Sequence, residues 1–283
     1  MRAVQEKEGC MATLEERFQK GLEMRGRLAG GQGRIFRGAV PSAYELAPDM
    51  YRISTESLYG SIWSRPGLDL KYRAIATLTV AAIQLTTQVQ SHVRNALNVG
   101  ITPEEIIEIL MMITFYGGIP SAYNALAVTK EVFEERGLHV TLPETFDPSV
   151  EPNTLYERGV AKHKELIPDV FGYHPTEPTR EERVLDVLMH EYLWGAVWTR
   201  PGLDMKSRIV CALAALVVRG QYDVSVRRMI EGALRFGLTR TEIMEIGMQL
   251  AFYVGVLPAR AFMHIANTVF RSPEFSQAES RGL

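Results

Sequence analysis

The chain has 283 residues, of which 46% are hydrophobic and 23% charged, a balance typical of a globular protein with one large domain or two ordinary ones. A net charge of −2 gives no electrostatic reason to expect nucleic acid or an anionic membrane as partner. The two cysteines, Cys10 and Cys211, form no motif, which excludes a disulfide scaffold and a cysteine-rich zinc site.

The N-terminal segment and the apolar runs bear on location. Residues 1–16 mix charges of both signs without an apolar core, so we expect no secretory signal. The longest apolar runs, 74–85 and 209–218, are shorter than the roughly 20 residues that span a bilayer. We therefore expect a cytoplasmic protein with neither membrane nor nucleic acid as partner.

Helical signals dominate the first half of the chain, and the sustained alternation typical of strands is not seen. Pro66-Gly67 predicts a turn and Asp69 an N-cap, so we expect a core helix over 70–84. A second helix is expected over 88–98, ending before Gly100, which suits the left-handed position after a helix.

Two further helices follow. Thr102-Pro103-Glu104-Glu105 is a capping box with proline in the first turn, and Pro120-Ser121 opens a helix toward Glu135. The short connections predict antiparallel neighbours and hence a compact all-α bundle.

The second half of the chain repeats the first. Because the repeat is more than 100 residues long, it indicates duplication of a whole domain. The matching blocks are Trp63–Arg73 with Trp198–Arg208, Gly100–Ile109 with Gly237–Ile246, Phe115–Gly118 with Phe252–Gly255, and Phe18–Gly21 with Tyr156–Gly159.

The boundary between the copies is predicted from composition. Residues 140–153 carry three prolines and are typical of a linker, with Asn153 as a cap for the next helix. We predict two tandem helical units, residues 1–139 with an N-terminal helical extension and residues 154–283.

The linked motifs resemble a known family. The block Trp-x-Arg-Pro-Gly-Leu-Asp-x-Lys-x-Arg, a helix bearing His92, Gly-Ile-Thr-x-Glu-Glu and Tyr-x-Gly-x-Pro are similar to the carboxymuconolactone decarboxylase family, whose superfamily includes the alkylhydroperoxidase D proteins. The resemblance covers both units and implies alkylhydroperoxidase D-like helical bundles. Because members assemble into rings, it also implies a homo-oligomer, with a trimer favoured.

The peroxidase branch of that superfamily resembles Cys-x-x-Cys-x-x-x-His. Counted back from His92, the two cysteine positions hold Leu85 and Gln88. Neither side chain is a thiol, so a thiol peroxidase is the least favoured function. In the second unit the three positions hold Tyr222, Ser225 and Met229, which indicates a degenerate copy.

The decarboxylase branch resembles Glu-x-x-x-His on one helix face. Here His92 is kept and Gln88 replaces the Glu. The resemblance implies that His92 transfers the proton, while Gln88, which cannot take up a proton, orients the substrate. The predicted function is a cofactor-independent lyase or isomerase acting on a small carboxylated lactone or related acid.

Arg73 and Arg208 occupy matching positions in the two units. Each suits a clamp for a substrate carboxylate. The alternative, which we prefer from sequence, is a buried ion pair: Arg73 with Asp69 or Glu56, and Arg208 with Asp204 or Glu191.

Four more residues are candidates for substrate binding. Trp63 and Tyr116 either pack in the core or line the pocket. Asn124 has Phe262 opposite it in the second unit, which favours a pocket in the first. His190 has Thr55 opposite it, so it is either a surface residue or part of a composite site with His92.

The main alternative is a non-catalytic ligand-binding or scaffold protein, because the first unit lacks the Glu and the second lacks the His. Metal and nucleotide cofactors are not expected, since the sequence has no paired His spacing, no G-x-G-x-x-G motif and no P-loop.

Overall fold

The architecture is that of a computed structural model, which describes residues 12–31, 41–85, 87–142, 146–170, 176–220 and 223–276. Within these ranges every regular element is a helix, so the predicted all-α fold is confirmed. Cys10 and Tyr222 lie outside the described residues.

Two helices of the first unit begin at the predicted caps. The carboxylate of Asp69 accepts from the backbone N–H of Lys71 at 2.7 Å. Thr102 and Glu105 form the expected capping box. The elements are α1 (Leu14–Leu28), α2 (Pro41–Leu46), α3 (Pro48–Ser54), π1 (Thr55–Trp63), α4 (Leu70–Ile83), α5 (Val89–Asn98), α6 (Pro103–Tyr116) and α7 (Ile119–Glu135).

The second unit repeats this order without a counterpart of α2 among the described residues. Its first helix begins at Pro152 with Glu151 as N-cap, so Asn153 lies inside the first turn and the prediction that it caps the helix is wrong. The elements are α8 (Pro152–Leu166), α9 (Arg180–Leu188), π2 (Met189–Val197), α10 (Met205–Arg219), α11 (Asp223–Arg235), α12 (Arg240–Leu250), α13 (Val256–Phe270) and α14 (Pro273–Ser276).

Two nine-residue π-helices, π1 and π2, pack closely against α1 and α8. Glycine is required where they meet. A Cβ atom on Gly159 would overlap the carbonyl oxygen of His190, and one on Gly21 would overlap that of Thr55. These contacts explain why the repeat extends back to Phe18–Gly21 and Tyr156–Gly159.

The two units share one core, in which α4 packs directly against α10. At this contact the Thr79 hydroxyl lies 3.3 Å from Cys211 Sγ, and both residues are fully buried. Each central helix also packs against a helix of the other unit, α4 against α12 and α10 against α6. Burial from both units explains why the two central helices are apolar on most sides.

Candidate functional site

Arg73 holds a carboxylate of the other unit. Its Nη2 atom donates to Glu245 Oε2 of α12 at 2.8 Å, and Arg65 Nε donates to Glu245 Oε1 at 2.7 Å. Arg73 is fully buried. The preferred expectation of a buried ion pair is met, but the predicted partners, Asp69 and Glu56, are wrong because the pair crosses between units.

The reverse arrangement occurs in the second unit. Arg200 donates to both carboxylate oxygens of Glu108 in α6, at 2.8 to 3.1 Å. Arg208 Nη2 lies 3.6 Å from the same carboxylate, so its predicted partners, Asp204 and Glu191, are also wrong. We call the two sets of pairs the reciprocal clamp.

The Pro-Gly turns belong to the reciprocal clamp. A Cβ atom on Gly67 would lie 2.9 Å from Glu245 Cγ, and one on Gly202 would lie 3.3 Å from Glu108 Cγ. Gly202 also has φ +92°, which disfavours other residues. The repeated Trp-x-Arg-Pro-Gly-Leu-Asp block is therefore the surface by which each unit grips the other.

His92 lies on α5 with only 6% of its surface exposed. Its Nδ1 atom is buried without a hydrogen-bond partner among the described residues. Burial lowers the pKa of His92 to about 4, because a buried imidazolium loses its hydration. At neutral pH the ring is therefore an uncharged imidazole.

The aromatic neighbour of His92 comes from the second unit. The rings of His92 and Tyr253 meet edge to face with centroids 5.5 Å apart. The Tyr253 phenol oxygen accepts from Trp63 Nε1 at 3.0 Å, and burial raises the pKa of Tyr253 well above its usual value. Tyr253 thus joins His92 and Trp63 of the first unit into one composite site.

Gln249 lies one helical turn before Tyr253, and its side-chain amide lies beside the Tyr253 phenol. The residue is fully buried. Its Oε1 atom accepts from Arg73 Nη1 at 3.0 Å, whereas Nε2 lacks a partner in the part of the chain that is described. The hydrogen bond between Arg73 and Gln249 therefore connects the reciprocal clamp to the residues around His92.

The repeat supplies a second, less polar version of this arrangement. Burial raises the pKa of Tyr116, and Trp198 Nε1 faces its phenol without reaching hydrogen-bond geometry. The residues at the positions of His92, Gln249, Tyr253 and Trp63 are Met229, Met112, Tyr116 and Trp198. We call the two arrangements half-sites, one around His92 and Tyr253 and a degenerate one around Met229 and Tyr116. His92 and Gln249 of the first half-site thus correspond to two methionines in the second.

A cleft of about 430 Å³ adjoins this second arrangement. It is lined by the end of α6 and the turn that follows it (residues 115–118), by Ser225 of α11 and by two residues of α10. Tyr116, predicted for the site of the first unit, therefore lies at the degenerate half-site, and its repeat partner Tyr253 contacts His92.

The remaining predicted residues are dispersed. Gln88 is the exposed N-cap of α5, and its side chain makes no capping hydrogen bond. Asn124 is exposed on α7. The structure thus brings Trp63 and His92 together around Tyr253, and links Arg73 to them through Gln249.

His190 lies in a separate cluster in the second unit. It is 2% exposed. Its Nδ1 atom lies 2.9 Å from the carbonyl oxygen of Asp186. Because a carbonyl oxygen only accepts hydrogen bonds, Nδ1 carries the proton and donates. Its Nε2 atom lies 3.1 Å from His163 Nδ1. The His163 ring stacks on Trp194 with centroids 4.0 Å apart. The alternative of a surface His190 is therefore wrong.

Sequence reasoning selected Tyr116 rather than its repeat partner Tyr253, and it missed Gln249 and Glu245. A signal for Gln249 was present, because it is a polar residue where the other copy has Met112. Glu245 has Glu108 as its counterpart, so the comparison of the copies gives no indication that these carboxylates cross between units.

Within the described ranges, no helix combines the length and apolarity needed to cross a bilayer. Groups of three or more His, Cys, Asp or Glu side chains arranged as metal ligands do not occur in the same ranges.

The model of the carboxymuconolactone decarboxylase family matches residues 48–131 and 186–268. Both matches include the reciprocal-clamp motif and the helices that follow it. The two segments together cover more than half of the chain.

Two named relatives align with part of the chain. A 4-carboxymuconolactone decarboxylase of Acinetobacter baylyi is 28% identical over 125 residues, which are 44% of this chain and 92% of the relative. A nitrosuccinic acid decarboxylase of Metarhizium robertsii is 30% identical over 119 residues, 42% of this chain and 82% of the relative. Each alignment is therefore about as long as one unit.

A solved structure matches nearly the whole chain. It is described as a gamma-carboxymuconolactone decarboxylase subunit of Burkholderia xenovorans, and it covers 94% of this chain and 98% of its own, with a TM-score of 0.51 and 22% identity. At this identity the match establishes the tandem fold alone.

Proposed function

Because the chain belongs to the carboxymuconolactone decarboxylase family, we propose that it is a cofactor-independent lyase that releases carbon dioxide from a small carboxylic acid. His92 is the proton-transfer residue of this proposal. The reaction takes place in the composite site formed with Tyr253 and Trp63.

The names of the two relatives suggest the substrate class. One substrate is a carboxylated lactone and the other a carboxylated nitro compound. Both have a carboxyl group and a second group that withdraws electrons. Such a group accepts the electron pair that remains when carbon dioxide leaves. We propose a substrate of this class for the present chain, a carboxylated lactone or a related acid.

The observation that carries the proposal is the buried His92, whose Nδ1 atom has no hydrogen-bond partner within the described part of the chain. Buried polar atoms in native proteins are nearly always hydrogen-bonded, and exceptions suggest a catalytic or ligand-binding role. The Tyr253 ring lies against His92, and its phenol oxygen already accepts a hydrogen bond from Trp63. Support for the proposal therefore comes from an imidazole nitrogen with unused hydrogen-bonding capacity, next to a tyrosine whose position is fixed by Trp63.

The proton balance follows from the low pKa of His92, about 4 in the empty site. A bound carboxylate favours the charged imidazolium, so the acid enters as an anion and His92 takes one proton from solvent. The bond between the carboxylate carbon and its neighbour then breaks, carbon dioxide leaves, and the electron pair moves to the withdrawing group. The imidazolium finally protonates the carbon, which returns His92 to its neutral form.

The other predicted residues have narrower roles in this proposal. Gln88, one turn before His92, orients the substrate, because an amide does not transfer protons at neutral pH. Trp63 fixes the Tyr253 phenol and so holds the tyrosine ring beside His92. The charge of Arg73 is already matched by Glu245, which disfavours a direct clamp on the substrate carboxylate.

The test is release of carbon dioxide from 4-carboxymuconolactone and from nitrosuccinic acid, followed by mass spectrometry. His92→Met is the informative variant, because the fold already holds a buried methionine, Met229, at the matching position. We expect the variant to fold and to lose at least about 10²-fold in rate, the usual contribution of general acid–base catalysis.

His264→Gln is the matched control, because His264 is exposed on α13. Its rate is expected to equal that of the wild type. Turnover by His92→Met at the wild-type rate would refute the role of His92. Binding of both acids by the wild type without turnover would instead favour a ligand-binding protein.

A further inference from the structure

We propose that Gln249, supplied by the second unit, is the hydrogen-bond donor to the substrate oxygen on which negative charge develops. This inference rests on the proposed function, since it names a substrate-contacting residue of the same site. It also names the chemistry recognised: an acid whose withdrawing group ends in a carbonyl or nitro oxygen.

Gln249 lies close to the catalytic histidine of this proposal. Gln249 is fully buried in α12, a helix that packs against α4. Its amide lies beside the Tyr253 phenol, and the Tyr253 ring contacts His92. The amide of the second unit and the imidazole of the first therefore flank the same tyrosine.

The orientation of the Gln249 amide is determined by Arg73. Arg73 Nη1 donates to Gln249 Oε1 at 3.0 Å. A flipped amide would place its NH₂ group against the guanidinium, donor facing donor, so the observed orientation is the stable one. The oxygen is thus occupied, and the two N–H bonds of Nε2 are left to donate elsewhere.

The guanidinium that imposes this orientation is itself fixed. Arg73 also donates to Glu245 Oε2 at 2.8 Å and to the carbonyl oxygens of Leu68 and Arg65 at 3.2 and 3.1 Å. It therefore has little freedom to turn toward a substrate. The reciprocal clamp acts as a rigid support for the Gln249 amide.

Two buried nitrogen atoms of this site, one from each unit, have unused hydrogen-bonding capacity. Gln249 Nε2 and His92 Nδ1 are both buried, and neither reaches hydrogen-bond geometry with a partner among the residues described, although the Tyr253 phenol lies next to the Gln249 amide. A buried amide nitrogen without an acceptor is costly in a core, and such groups are rare in native proteins. A ligand oxygen would satisfy the Gln249 donor, and the anionic end of the same ligand would satisfy a protonated His92.

The repeat gives independent support. In the other half-site Met229 stands for His92 and Met112 for Gln249, and both methionines are buried. The two polar groups come from different units, yet they are present together in one half-site and absent together from the other. That pattern is expected if both act on one ligand.

The chemistry of an amide suits the developing charge. Before reaction the charge lies on the carboxylate, and after carbon dioxide leaves it lies on the carbonyl or nitro oxygen. A neutral, fixed N–H donor aimed at the second oxygen stabilises the later state more than the earlier one, which is what accelerates the step. A guanidinium bound to the carboxylate would do the reverse.

The experiment compares two anions that differ in this oxygen. The nitronate of 3-nitropropanoate carries the charge of the decarboxylated state on its nitro oxygens, and propanoate is the same acid without the nitro group. Their affinities are measured by calorimetry for the wild type, Gln249→Met and Gln249→Glu. Gln249→Met copies residue 112, and Gln249→Glu keeps an acceptor for Arg73, so at least one variant is expected to fold.

We expect both variants to lose at least tenfold more affinity for the nitronate than for propanoate. Met112→Leu, in the other half-site, is the control and should bind both anions as the wild type does. Equal losses for the two anions, or no nitronate binding by the wild type, would overturn the inference. The binding readout needs no turnover, so failure of the decarboxylase proposal remains distinguishable.

Discussion

Proton uptake on ligand binding is the sharpest consequence of the buried His92. Its pKa falls from 6.5 to about 4 in the empty site, which corresponds to about 3 kcal/mol of interaction that the charged ring loses. About one empty site in a thousand is therefore protonated at pH 7. A ligand carboxylate at contact distance raises such a pKa by up to about 3, to about 7.

These values predict measurable uptake of up to about half a proton per succinate bound at pH 7. The assay is calorimetry in phosphate and in Tris, whose ionisation enthalpies differ, because the apparent binding enthalpy then changes in proportion to the protons exchanged. His92→Met is expected to show no such dependence. Binding without proton uptake by the wild type, or equal uptake by the variant, would refute the reasoning.

The same linkage predicts how turnover depends on pH. The value of kcat/KM reports groups of the free enzyme, and the free-enzyme pKa of His92 is about 4. Above that pH the protonated fraction falls about tenfold per pH unit. We expect kcat/KM to fall in the same way between pH 6 and 8, and a flat profile would contradict the proton balance.

Three further predictions concern structure. Glu245→Gln leaves Arg73 charged and unpaired in the core, so urea titration should show a loss of about 3–5 kcal/mol in unfolding free energy; a loss below about 1 kcal/mol, typical of an exposed pair, would contradict the clamp. Gly159→Ala places a methyl group on the His190 carbonyl oxygen and should cost about 1–3 kcal/mol, and an unchanged melting temperature would contradict that contact. Cys211 is fully buried and its pKa is raised to about 11, so mass spectrometry should detect iodoacetamide labelling only after unfolding.

Local signals were sufficient to predict the helices. The Asp69 cap and the Thr102 capping box act over one helical turn, so the sequence alone determined where α4 and α6 begin. The tandem organisation followed from comparing the two halves, and the family resemblance followed from motifs within each. Each of these inferences needs information from only one unit at a time.

Contacts between the units could not be predicted in this way. Arg73 and Glu245 have the same residue types at the matching positions of the other unit, so a pair within a unit and a pair between units are equally consistent with the sequence. Packing of α4 against α10 and α12 decides between them. The same packing brings Tyr253, rather than Tyr116, to His92.

The fusion of the two units has a consequence for how the protein can change over time. In a dimer of identical chains, each substitution appears at both symmetry-related sites. Here the replacement of His92 by Met229, and of Gln249 by Met112, affects one half-site and leaves the other intact. The degenerate half is therefore free to drift or to acquire a separate specificity. The α12 and reciprocal-clamp residues of the second unit remain constrained, because they support the site around His92.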